Sequence, residues 1–90
     1  MDKWNIMTTF LKNKDIGDVF TKMDICILHD SFEKTFQDTM TVYINNLIRV
    51  GCLERVGKNK FELMKRLGEN ATWSKLRQVI HNNIDFDLFA

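Results

Sequence analysis

The sequence predicts a small α+β domain, mostly helical, with three core helices, one β-hairpin and an added C-terminal helix. Three observations carry that reading. From Thr35 to Leu63 the chain runs TFQDTMTVYINNLIRVGCLERVGKNKFEL: an apolar stripe, a glycine, then two alternating runs around Gly57, Lys58 and Asn59. The stripe has helical spacing and the alternation has strand spacing. Gly17, Gly51, Gly57 and Gly68, the four glycines, all fall at the ends of expected elements.

Each element has its own local warrant. Trp4, Met7, Phe10 and Leu11 make one face of a first helix over about 3–13. A polar break follows, then a very short strand within 18–21. Thr21 caps a second helix over about 22–30, with Asp24 three residues on as a capping-box variant. That helix is expected to bury Met23, Ile25 and either Ile27 or Leu28, with Cys26 near its boundary. Phe32 is expected to tuck under the following turn as core. The third helix covers about 36–50, capped by Thr35 with Asp38, or begins four residues earlier if Ser31 is the cap. Phe36, Met40, Tyr43, Ile44, Leu47 and Ile48 form its inner face. Gly51 supplies the left-handed conformation that closes it. A hairpin then pairs about 52–56 with 60–65, Leu53 and Phe61 pointing inward. The fourth helix, about 71–82, carries Trp73, Leu76, Val79 and Ile80 on one side. The domain is expected to span 1–83, leaving 84–90 as an acidic, aromatic tail.

Composition narrows the class. Ninety residues, 44% of them hydrophobic, suit one small domain. The whole chain is nearly neutral at +1, but its charge is uneven. Residues 1–40 hold five Lys against seven Asp and Glu, and residues 67–90 two basic against three acidic. Residues 41–66 hold six Lys and Arg against two Glu, so the positive charge collects on the helix end and hairpin. Cys26 and Cys52 sit in apolar runs without a CxxC pair, and His29 and His81 do not complete a zinc spacing. Both thiols read as small buried hydrophobes of a reducing compartment. No apolar run reaches the ~20 residues needed to cross a bilayer, so a soluble, cytoplasmic protein without membrane contact is expected.

The residues LeuIleArgValGlyCysLeuGluArgValGlyLysAsnLysPheGluLeu, 47 to 63, resemble the end of the recognition helix and the wing of the winged helix-turn-helix family. Residues 17–66 carry the resemblance; the last helix and tail lie outside it. The turn around Asp30–Lys34 is longer than the tightest helix-turn-helix turn. The resemblance implies a duplex-DNA-binding transcriptional regulator, with the third helix in the major groove and the wing on the backbone. On that helix the outward residues are Thr39, Thr41, Val42, Asn45, Asn46 and Arg49. Asn can pair with adenine, Thr can reach phosphate or base edges, and Val42 can touch a thymine methyl. Lys34 at the helix start, and Arg55, Lys58, Asn59 and Lys60 on the wing, are the expected phosphate contacts. Asp38 opposes a polyanion unless it serves as a cap.

So few basic residues imply weak binding by one protomer, and a homodimer on neighbouring half-sites is expected. Trp73, Leu76, Ile80, Ile84, Phe86 and Phe89 are the candidate dimer or partner face. Trp73, Leu76, Val79 and Ile80 equally suit a lid over the first helix, and the tail suits either a partner's sheet or groove or its own domain. An alternative from another class is a protein-interaction adaptor or inhibitor that acts on a larger complex through this helix and tail. No phosphate-cradling glycine loop, metalloprotease motif or nucleophile elbow is present in the sequence, so neither an enzyme nor a cofactor or metal is expected.

Overall fold

A computed structural model describes residues 2–90. Four helices pack around a three-stranded antiparallel sheet in an α+β domain. In chain order the elements are α1 (Lys3–Lys12), β1 (Val19–Phe20), α2 (Lys22–Leu28), α3 (Lys34–Arg49), β2 (Leu53–Gly57), β3 (Lys60–Leu63) and α4 (Trp73–Asn82). The sheet order is β1-β3-β2, so the short strand after α1 closes the free edge of the hairpin. None of the helices is long and apolar enough to cross a membrane.

α3 is the central element. Phe36, Met40, Tyr43, Ile44 and Leu47 are buried along one face, as the stripe predicts. Its C-terminus is a Schellman motif. The amide of Cys52 donates to Leu47 O at 3.0 Å, and that of Gly51 to Ile48 O at 3.1 Å. Gly51 has φ +83°, where a side chain would be strained. Cys52 and Leu47 are both buried, so the motif also fixes where β2 begins. Leu53, Phe61 and Leu63 then point into the core with Phe20 of β1.

Aromatic side chains join the layers. Phe20 stands between Phe10 of α1 and Phe61 of β3, at ring separations of 5.1 and 6.0 Å. On the other side Trp4, Tyr43 and Trp73 form a trio linking α1, α3 and α4, with centroids 4.8–5.6 Å apart. The Trp4 indole also donates to Ala71 O at 3.2 Å, which satisfies its one polar atom.

Four expectations need correction. α2 stops at Leu28, two residues early, in a second Schellman motif whose left-handed position is Asp30, with φ 48°. The amides of Ser31 and Asp30 donate to Cys26 O and Ile27 O. This short helix buries Ile25 and Cys26 and leaves Met23, Ile27 and Leu28 outside. Phe32 is likewise exposed, held in the turn by Gln37 donating to its carbonyl at 2.8 Å. α3 begins at Lys34 with Glu33 as its N-cap and no side-chain cap bond, so neither Thr35 nor Ser31 caps it.

The C-terminal residues pack on their own domain. Gly68 donates to Leu88 O at 2.8 Å, and Leu88 is fully inside the core. A Cβ on Gly68 would collide with the backbone of Ala90, so glycine is what lets Ala90 lie there. Lys65 and Lys75 sit over the rings of Phe89 and Phe86 at 5.2 and 5.7 Å.

Candidate nucleic-acid interface

The hairpin sorts its side chains by face. Leu53, Arg55, Phe61 and Leu63 share the inner face, because Leu53 pairs with Leu63 and Arg55 with Phe61. Arg55 lies at the open end, its guanidinium 5.1 Å above the Phe61 ring. Glu54 and Glu62 pair directly on the outer face. A break in register at Val56 then turns the chain into the tip, where Gly57 pairs with Lys60. The loop residues are Lys58 and Asn59, the latter left-handed at φ 59°. Basic charge on the hairpin is thus confined to the inner face and tip.

That inner face meets α2 and α3 across a cleft of about 370 Å³. Arg55 and Asn59 form the hairpin wall, and Thr41 and Asn45 stand opposite on α3. Lys22 and Thr21 close it from the first turn of α2. Ile44 and Phe61 form an apolar floor beneath this polar rim, with the exposed Met23 at its edge. The Lys22 ammonium donates to Thr41 Oγ1 at 3.2 Å and forms no ion pair among the described residues. Thr21 caps α2 in a complete capping box: its hydroxyl accepts from Asp24 N, and the Asp24 carboxylate accepts from Thr21 N.

The residues expected on one DNA-facing surface fall into three groups. Thr41, Asn45, Arg55 and Asn59 line the cleft, with Lys58 and Lys60 exposed at the tip beside it. Val42 is exposed and Asn45 is free of side-chain hydrogen bonds among the described residues. Thr39 and Asn46 belong to the other flank, since Asn46 lies about 140° around the helix axis from Thr41. Both are half-buried and donate within α3, Thr39 Oγ1 to Thr35 O and Asn46 Nδ2 to Val42 O. Lys34 is paired with Asp38 at 2.8 Å. That hydrogen bond first, and the carboxylate charge second, raise the lysine's pKa above its usual range. Asp38 is therefore an ion-pair partner, not a cap.

The basic cluster read from residues 41–66 is dispersed in space. Arg49 lies at the far end of α3, in a groove it shares with the tail residues Asp85 to Phe89. Arg66 ties the loop after β3 to the end of α1, donating to Lys14 O at 2.7 Å. Lys65 covers Phe89. Only Arg55, Lys58 and Lys60 stay with the hairpin. Lys22, which sequence reasoning missed, joins them from α2.

The expected dimer face is also revised. Leu76 is buried in its own domain and is not available to a partner. Trp73, Ile80, Phe86 and Phe89 are partly buried against the same core. Ile84 alone of the six is exposed. The lid role accounts for α4: it covers the α1–α3 seam through the Trp4, Tyr43 and Trp73 trio.

No family model, curated protein or solved structure matches this chain.

Proposed function

We propose that this chain is a winged helix domain that holds duplex DNA as a transcriptional regulator, with α3 in the major groove and the β2–β3 hairpin as the wing. One observation supports this above all: Lys22, Thr41, Asn45 and Arg55 come from three elements to line one cleft. Lys58 and Lys60 extend it at the tip. The order of elements and the strand order β1-β3-β2 suit the same reading. Asn45 and Val42 are the base-reading residues, and Lys22, Arg55, Lys58 and Lys60 contact phosphate.

The proposed binding unit is one protomer, because the residues expected at a dimer face are largely spent in its own core. The adaptor reading through α4 and the tail has less support for the same reason. Four phosphate contacts give a slope of log K on log salt of about −3.6, or roughly a hundredfold loss from ~50 to ~200 mM salt. Fluorescence anisotropy of a labelled mixed-sequence duplex tests this. Lys58→Glu with Lys60→Glu should weaken binding to all sequences alike, and Asn45→Ala should weaken preferred sites more. A folded protein that does not bind at ~50 mM salt would exclude the DNA reading.

A further inference from the structure

The outward face of α2 is apolar where a solvated helix would be polar. Ile27 is 62% exposed, Leu28 61%, and Phe32 in the adjoining turn 49%. Ile27 and Leu28 point away from the core because Ile25 and Cys26 occupy the inward positions of this two-turn helix. Exposed apolar side chains gathered on one short helix and its turn make this a candidate interaction surface.

Its charge is one-sided. Asp24 lies on the same outward face, between Ile27 and Leu28 around the axis. Asp30 and Glu33 border Phe32 in the turn and are exposed. None of these three carboxylates forms an ion pair among the described residues. The two nearest lysines are engaged elsewhere, Lys22 on Thr41 in the cleft and Lys34 on Asp38. His29, at the helix end, is half-buried.

That sign selects the occupant. A two-fold pairing of this face would gather six carboxylates, Asp24, Asp30 and Glu33 of each copy, into one interface. Like-charge juxtaposition of that kind rejects a partner. We infer that the α2 face docks a basic amphipathic helix of another protein, its apolar side on Ile27, Leu28 and Phe32 and its lysines or arginines on Asp24, Asp30 and Glu33. The seven residues of α2 span about 10 Å, so two to three turns of the partner suffice. This surface is separate from Asn45, Arg55 and the wing tip, and the inference does not depend on DNA binding.

The test uses the full chain, isotopically labelled for amide NMR, titrated with a synthetic 18-residue Leu/Lys amphipathic helix, about five turns long, and separately with its Leu/Glu counterpart. The Leu/Lys peptide should shift the amides of residues 22–33, and the Leu/Glu peptide should not. Ile27→Ser with Leu28→Ser should weaken the Leu/Lys peptide at least about tenfold. Asp30→Asn with Glu33→Gln should weaken it about fivefold. The Asp30 change keeps a residue type that tolerates the left-handed backbone, so its fold should be intact. Shifts spread elsewhere, equal binding of both peptides, or an effect unmoved by both double variants would overturn the inference. So would sedimentation showing that the protein dimerises by itself and that Ile27→Ser with Leu28→Ser dissociates it.

Discussion

The ammonium of Lys22 donates to the hydroxyl of Thr41 across 3.2 Å, tying the first turn of α2 to the middle of α3. Thr41 is also held from its own helix, donating to Gln37 O at 3.0 Å. The lysine is thus positioned at the rim of the cleft, with no carboxylate paired to it among the described residues. Under the DNA reading, Lys22→Ala should lower duplex affinity about three- to tenfold and reduce the salt slope by about one unit. The thermal midpoint should barely move, since the lost bond is partly solvated. An unchanged salt slope would remove Lys22 from the contact set.

The two helices that flank the turn start differently, and their stabilities to mutation should differ accordingly. α2 has a complete capping box on Thr21, whereas α3 starts at Glu33 with no side-chain cap. Thr21→Ala should cost about 1 kcal/mol, or roughly 4–8 °C in the thermal midpoint of a domain this size. Glu33→Ser should do the reverse, stabilising by about 0.5–1 kcal/mol by supplying the missing acceptor. Thermal melts of the two variants without ligand decide both. A neutral Thr21→Ala would mean that α2 is held by packing alone.

The parts of this fold that could be read from sequence are those fixed by neighbours in the chain. The α3 stripe runs over four turns, and Gly51 ends it through amides only three and five residues from their acceptors. α2 is harder to read because its seven residues hold only two buried apolar positions, and Met23, Ile27 and Leu28 are apolar as Ile25 is. Only the positions of α1, α3 and the sheet decide which of them is covered. Phe32 lies outside for a related reason: the bond from Gln37 to its carbonyl holds the turn with the ring exposed. The candidate site suffered most. A window sum counts Arg49, Lys65 and Arg66 with the charge of the helix end and hairpin, but the fold sends them to the tail groove, Phe89 and the end of α1. The same sum omits Lys22, whose partner is nineteen residues away.

Glu54 and Glu62 face each other on the outer side of the sheet, with Val19 on the far side of Glu62. Like charges directly opposite on adjacent strands are destabilising, and an opposite-charge pair there contributes a few tenths to about 1 kcal/mol. Glu54→Lys should therefore raise the thermal midpoint by several degrees. It should also leave the cleft geometry unchanged, since Glu54 lies on the face opposite Arg55. An unchanged midpoint would show that the carboxylates are already kept apart by solvent.

Alkaline pH should destabilise this domain through Cys52. Its side chain is fully enclosed behind the Schellman motif, and burial pushes the thiol from an ordinary 9.0 up to about 12. The neutral thiol donates to Lys65 O at 3.3 Å, a bond the thiolate could not make. The folded pKa is raised, so the stability is fully present below pH 9, where both states hold the proton. Above that the unfolded chain loses its proton while the folded chain keeps it. Stability then falls by about 1.4 kcal/mol per pH unit until the folded thiol also ionises. Tyr43, raised by burial and then by the charge of Asp2, acts in the same direction. Urea melts at pH 8 and pH 10.5 should differ by about 2 kcal/mol from the thiol alone. Cys52→Ala will be less stable at both because it leaves a small cavity, but its difference between the two pH values should shrink by that amount. If the variant keeps the full alkaline loss, the titrating group is elsewhere, and Tyr43→Phe is the next variant to melt.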